Sequence, residues 1–381
     1  MITYADRLNT VEEYYFSKKL RQVRGLIAEG KPIINMGIGS PDLPPPPHVI
    51  ETIQEAVKEE GAHQYQSYQG VPEMRQAMAY FYKTNFDVNL HPDEEVLPLM
   101  GSKEGIMHIS MAFLNDGDEV LIPNPGYPTY MSVTKLLGAT AKPYNLTAEN
   151  NWYPDIATLE ATDLSKVKIM WVNYPHMPTG TKADMHRLQE LVDFGARHHI
   201  LIVNDNPYSF VLNNAPTSIL KATNSYGHVM ELNSLSKTFN MAGWRVGMLA
   251  GDSEHIKAVL KVKSNMDSGM FYGIQKGATV ALKSSAGWYE ELNKIYENRR
   301  NHIFKLARKL NCEYNQDSVG MFVWAKLPAS VKSAENFIDK ILLEKDVFIT
   351  PGTIFGSNGE GYIRFSLCLP ETKIVEALER F

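Results

Sequence analysis

Between residues 46 and 275 the chain repeats one pattern that leaves few folds open: a short apolar run, a longer stretch of helical periodicity, then another run. The runs at 119–122 (EVLI), 169–172 (IMWV), 200–203 (ILIV) and 229–232 (VMEL) are too short for helices and lack the polar alternation of a strand with one wet face. Strands separated by about a dozen or more residues are joined by crossovers, usually helices, which makes neighbours parallel. The pattern predicts a mostly parallel sheet covered by helices on both faces.

The flanks read differently. Val11 to Glu29 has helical spacing and stops at Gly30-Lys31-Pro32; Pro41 and Pro44 to Pro47 then form a stiff stretch before a new helix expected over 48–60. A helical stretch at 286–310 precedes strand candidates at 321–327, 347–350 and 362–367. The expected organisation is an N-terminal arm contributing to a small domain (1–45), a large domain (46–275) and a smaller α/β domain (276–381).

Charge narrows the partners. A net charge of -5 over 381 residues gives no basic surface for nucleic acid or anionic membrane, so small molecules are the expected partners. The two cysteines, Cys312 and Cys368, form no C-x-x-C or Cys/His spacing, so no metal is expected. No apolar signal or membrane-spanning stretch is visible, and a cytoplasmic location is expected.

The most informative segment follows the last run: Asn233-Ser234-Leu235-Ser236-Lys237-Thr238-Phe239, continuing to Gly243-Trp244-Arg245-Val246-Gly247. A lysine between two hydroxyls can condense with an aldehyde, while Ser234, Ser236 and Arg245 hold a phosphate dianion by charge-assisted hydrogen bonds. A bare S-x-S-K string arises by chance, and the glycine-flanked Trp-Arg extension is what makes this one specific. Here the chain resembles the class I/II aminotransferases of the fold-type-I pyridoxal 5′-phosphate (PLP) enzymes, nearest the LL-diaminopimelate, aspartate and alanine aminotransferase-like subgroup. The resemblance spans almost the whole chain. It implies a large domain with a mostly parallel, seven-stranded-type sheet between helices and a smaller α/β domain, with PLP held as a Schiff base on Lys237.

Other segments match the family in order. Leu201 to Tyr208 resembles the stretch whose aspartate, here Asp205, pairs with the pyridine nitrogen, and whose tyrosine, here Tyr208, hydrogen-bonds the phenolic oxygen. A carboxylate there keeps the nitrogen protonated, and a protonated ring is the electron sink for a carbanion. Asn206 stands where many relatives carry glutamate. Gly101 to Gly105 opens a helix whose first N–H groups, at Ser102 and Lys103, can face a phosphate. Pro123 to Pro128 resembles the loop that lays an aromatic ring, Tyr127, on the pyridine. The segment from Tyr65 to Arg75 resembles one whose tyrosine reaches the phosphate of a neighbouring subunit, which implies a homodimer with Tyr65 contributed across the interface. Arg364, alone in the apolar run 362–367, implies a fork for the substrate α-carboxylate, with a backbone donor from Gly39.

One position departs from the family. Asn173-Tyr174-Pro175-His176-Met177-Pro178-Thr179-Gly180 resembles N-x-P-x-N-P-T-G, but Met177 replaces the asparagine that donates to the phenolic oxygen. Losing a donor to that oxygen makes the adjacent imine more basic unless Asn173 or His176 substitutes; Tyr208 is expected to be the main remaining donor. The reaction implied is exchange of an amino group between an L-amino acid and a 2-oxo acid, by family habit the 2-oxoglutarate/glutamate pair, with Lys237 moving the proton. A C–S β-lyase on the same fold is the alternative, and an inactive PLP-binding regulatory domain a remote one.

Overall fold

The structure, a computed structural model, describes residues 2–11 and 15–381. Seven strands form the large sheet in the spatial order Val96–Leu99, Gly247–Gly251, Val229–Ser234, Leu201–Asp205, Val167–Val172, Glu119–Asn124 and Thr140–Asn145. Gly247–Gly251 runs antiparallel to both neighbours, and the other six are mutually parallel. The four expected strands are all present. The other three were not legible as apolar runs: Val96–Leu99 and Thr140–Asn145 carry prolines, and the latter is a half-exposed edge strand, where a missing N–H costs no ladder bond. Gly247–Gly251 is bounded by glycines.

Both faces of the sheet are covered, and the period-2 alternation of each strand divides its side chains between two cores. Ile169, Trp171 and Val203 enter one core, while Met170, Val172 and Ile202 enter the other. Helix Met185–His198 shows how a crossover is made. Asp184 caps it by accepting from the Arg187 N–H at 3.0 Å, Leu188, Leu191, Val192 and Gly195 form its buried face, and His199 ends it in the left-handed region. A Cβ at Gly195 would lie 2.6 Å from the Ile202 side chain, so glycine lets helix and strand close up.

A second, antiparallel sheet contains Thr350–Pro351, Tyr362–Ser366, Phe322–Lys326 and Glu313–Tyr314 in that spatial order. Ile34–Asn35 pairs with Val347–Phe348, so the beginning and end of the chain share one apolar core: Val23, Ile34 and Met36 lie in the same cluster as Phe322, Phe348 and Phe365. The N-terminal helix is Tyr15–Ala28; residues 12–14 of the expected one lie outside the described residues. The helix expected at 48–60 is Pro47–Ala56, with proline at its first position, where it lacks nothing the helix needs. The expected strand at 347–350 is instead two two-residue pairings with different partners. Among the described residues no helix is long and apolar enough to cross a membrane.

Candidate active site

Parallel strands deliver their C-terminal ends to one rim, and the loops leaving that rim are where an α/β sheet builds its site. Here the loops carry Ser102 and Lys103 after Val96–Leu99, Tyr127 after Glu119–Asn124, Asn173 and Met177 after Val167–Val172, Tyr208 after Leu201–Asp205, and Ser236 and Lys237 after Val229–Ser234. A cavity of about 450 Å³ lies between that rim and the small sheet, and every site residue expected from sequence lines it except Tyr65. Tyr65 is 90% exposed on the surface. Grooves of about 850 and 870 Å³ occur elsewhere, but neither gathers a lysine, a buried carboxylate and a buried arginine around one space.

One end of the cavity is a cradle. Gly101 (φ +90) is so close to Arg245 that a Cβ would overlap the guanidinium, and a Cβ on Gly247 would lie 2.6 Å from the Ser102 nitrogen. The two glycines bring the N-terminus of helix Ser102–Phe113 against Arg245, itself held in the left-handed region at φ 57. Ser234 Oγ accepts from the Ser236 N–H at 3.2 Å, fixing the turn that points Ser236 inward. Hydroxyls, helix N–H groups and a guanidinium converge as an anion requires. Gly101, not Ser102, is the N-cap residue, which leaves Ser102 within the first turn and lining the cavity.

In the middle sit Lys237 and Asp205. Burial pushes the Lys237 pKa down, favouring the neutral amine that attacks carbonyls, and its Nζ donates to the Gly39 carbonyl. Gly39 thus lines the cavity with its oxygen engaged by the lysine. Asp205 is 5% exposed; its Oδ2 accepts from the Tyr130 hydroxyl at 2.9 Å, whereas Oδ1 is buried without a hydrogen-bond partner. Burial is the main reason its pKa rises to about 6, opposed by the Tyr130 hydrogen bond. A buried carboxylate oxygen lacking a donor is a vacancy for an N–H cation, which is what a protonated pyridine offers. Tyr130 was missed in the sequence: its ring, stacked on Trp171 at 5.0 Å and edge-on to Tyr127, belongs to a helix with no motif.

Arg364 stands at the far end, 6% exposed. Its Cζ lies 3.9 Å from the Phe322 ring centre and 4.7 Å from that of Phe355, and its Nη2 donates to the Gly37 carbonyl at 2.9 Å. Its Nη1 faces the Met177 sulfur at 3.6 Å. The wall around it is apolar: Ile38, Phe322, Ile354 and Phe355, all from outside the recognisable motifs. Met177 therefore points toward the arginine. Asn173 is committed locally, donating to the Asp205 carbonyl and accepting from the Met177 N–H at 2.8 Å. His176 pairs with Thr179 at 2.8 Å outside the cavity lining, and Asn206 is engaged by Ser209 and Thr217. Tyr208 lines the cavity beside Phe322.

An anion cradle, a buried amine, a carboxylate awaiting an N–H cation and a buried arginine around one space fit PLP and define a site of the aminotransferase kind. Residues 31–381 match the family model for aminotransferase class I and II, and the chain belongs to that family. It is 37% identical over 382 residues to an LL-diaminopimelate aminotransferase from Aquifex aeolicus, covering 100% of this chain and 98% of that protein. It is 40% identical over 379 residues to one from Maridesulfovibrio salexigens, covering 99% and 97%. The solved structure of apo-BacF from Bacillus subtilis superposes with a TM-score of 0.95 at 34% identity, covering 100% of this chain and 98% of that one. The fold is that of fold-type-I enzymes, and the protein is a PLP-dependent aminotransferase.

Proposed function

We propose that the amino donor is LL-diaminopimelate or an L-amino acid of similar length, with 2-oxoglutarate as acceptor, and that the cavity residues divide the work as the resemblance implies. The observation that carries the division of labour is the convergence of Lys237, Asp205 and Arg364 on one cavity. PLP supplies a carbonyl for the amino group and a ring that withdraws electrons from the substrate Cα. Ser102, Lys103, Ser234, Ser236 and Arg245 would hold its phosphate, Tyr127 and Tyr208 would flank its ring, and Asp205 Oδ1 would accept from its nitrogen. Lys237 Nζ, its proton affinity lowered by burial, takes the proton from the substrate Cα and returns it as general acid. Arg364, held between two phenyl rings, orients the α-carboxylate and leaves the substrate side chain against Ile38, Ile354 and Phe355. The apolar wall also excludes water from the reacting proton.

LL-diaminopimelate is favoured because several relatives carrying that name align with this chain end to end. The exposed Tyr65 supports a homodimer in which Tyr65 enters the neighbouring subunit's cradle, and two buried cysteines without a disulfide suit a reducing cytoplasm. The test is a comparison of kcat/KM for LL-diaminopimelate, aspartate, alanine and glutamate with 2-oxoglutarate as acceptor. LL-diaminopimelate is expected to lead by at least about tenfold, and equal values for aspartate or alanine would reject it.

A further inference from the structure

Glu231 is fully buried, 0% exposed, in the middle of the large sheet. It is the one carboxylate in its strand, and no motif of the family segment 233–247 includes it. Its Oε1 accepts from the Ser218 hydroxyl at 2.8 Å and the Tyr82 hydroxyl at 3.1 Å; its Oε2 accepts from Asn204 Nδ2 at 3.0 Å and the Ile219 N–H at 3.2 Å. Oε2 faces two N–H donors and Oε1 two hydroxyls that can turn their protons toward it, a set that suits the ionised form. Burial pushes its pKa up and the donors pull it back. A carboxylate this well solvated by protein is a fixed negative charge, which an ordinary sheet core does not need and which costs desolvation to keep.

What it holds leads to the cavity. Asn204 lies opposite Glu231 in the parallel ladder and precedes Asp205. While Asn204 Nδ2 reaches Glu231, the same side chain clamps both sides of one residue: Oδ1 accepts from the Tyr174 N–H at 2.9 Å, and Nδ2 donates to the Tyr174 carbonyl at 3.2 Å. Tyr174 sits between Asn173 and the rest of the turn that brings Met177 to the cavity, and Asn173 in turn binds the Asp205 carbonyl. Successive strand residues point to opposite faces, so Asn204 is directed away from Asp205 and supports the site from behind.

We infer that Glu231 is a positioning residue for the transamination site, a buried carboxyl group that acts through Asn204 to fix the turn 173–177 and the strand end that carries Asp205. The inference rests on the reading of the cavity as the PLP site. Among the described residues, the titratable groups facing Asp205 are Tyr127, Tyr130, Tyr208 and Glu231, and those facing Glu231 are Tyr82 and Asp205. Of those facing Asp205, Glu231 is the only carboxylate, and its like charge adds to burial in favouring a proton at Asp205. A second negative charge behind Asp205 likewise favours the cationic form of a ring nitrogen held against the Asp205 carboxylate.

The test uses Glu231→Gln, Asn204→Ser and the double variant as holoenzymes, with two readouts: the dissociation constant for PLP and the pH midpoint of the bound cofactor's visible absorbance. Glu231→Gln keeps the shape and removes the charge. It is expected to unfold cooperatively like the wild type, to weaken PLP about five- to tenfold, on the scale of one hydrogen bond, and to lower the absorbance midpoint by about half a pH unit. Asn204→Ser is expected to weaken PLP similarly, and the double variant to be no worse than the worse single one, because the two residues act in series. A Glu231→Gln enzyme with wild-type affinity and midpoint overturns the inference, as do losses that multiply in the double variant. If Glu231→Gln does not fold, Ser218→Ala, which takes away one of the four donors, is expected to shift the midpoint, and an unmoved midpoint overturns the inference equally. A wild-type protein that binds no PLP would instead refute the site reading, and this inference with it.

Discussion

The two ends of the cavity are built on opposite principles. At the cradle, backbone groups, hydroxyls and Arg245 are locked by glycines that leave no room for a methyl group. At the far end a single cation, Arg364, is held by two phenyl rings, a carbonyl and a thioether in an otherwise apolar wall. The first design tolerates one shape of anion and suits a cofactor phosphate that takes no part in the reaction. The second gives strong recognition of one carboxylate and weak direction to everything attached to it, which suits a substrate that must enter and leave. The lysine and the aspartate lie between, where burial lowers the proton affinity of the first and raises that of the second.

Substitutions should separate the ends. The largest effect is expected at the junction: Lys237→Ala should lose roughly 10⁴-fold or more in turnover and no longer be linked to PLP by borohydride reduction, read by intact mass. Arg364→Ala should raise KM for the amino donor by roughly 10³-fold while the PLP dissociation constant stays within about threefold. Gly101→Ala should do the reverse, weakening PLP by about a hundredfold with little change in donor KM once PLP is saturating. If either variant disturbs both constants equally, the two ends are not independent.

Asp205 tests the middle through pH. Its folded pKa, about 6, lies above the ordinary carboxylate value of 3.8, so in the PLP-free protein the native state holds its proton longer than the unfolded chain does. Stability from this group is therefore fully present below about pH 4 and is lost as pH rises through about 6, a difference of roughly 3 kcal/mol. Asp205→Asn should make the PLP-free protein more stable than wild type at pH 8 by about 1–3 kcal/mol in denaturant melts, while impairing turnover. The smallest effect is expected at Met177, where Met177→Asn adds a donor and should lower the pH midpoint of the bound cofactor's absorbance by about one unit. An unchanged midpoint would mean that Met177 serves Arg364 alone.

The same contrast decided what the sequence could say. Lys237, Ser234, Ser236 and Arg245 lie within twelve residues, and their chemistry is legible because a single turn carries it. Asp205, Tyr127 and Arg364 were legible through motif resemblance. Tyr130, Phe322, Phe355 and Ile38 were not, because each is an ordinary apolar or aromatic residue whose role comes from strands and loops distant in the chain. The direction of Met177 toward Arg364 depends on a contact spanning 187 residues, which no local reading supplies. For the fold, four central strands were visible as apolar runs, whereas Val96–Leu99 and Gly247–Gly251, though buried, are broken by proline or bounded by glycine, and the edge strand Thr140–Asn145 shows too little burial to leave a pattern.

The most direct measurement is a half-reaction on the PLP-loaded protein, with LL-diaminopimelate as donor and no oxo acid present. One oxo-acid equivalent per site, without ammonia and followed by a halt until 2-oxoglutarate is added, is the predicted result. Ammonia accumulating beyond one equivalent, with the cofactor absorbance undiminished, would contradict it and identify an eliminating enzyme instead.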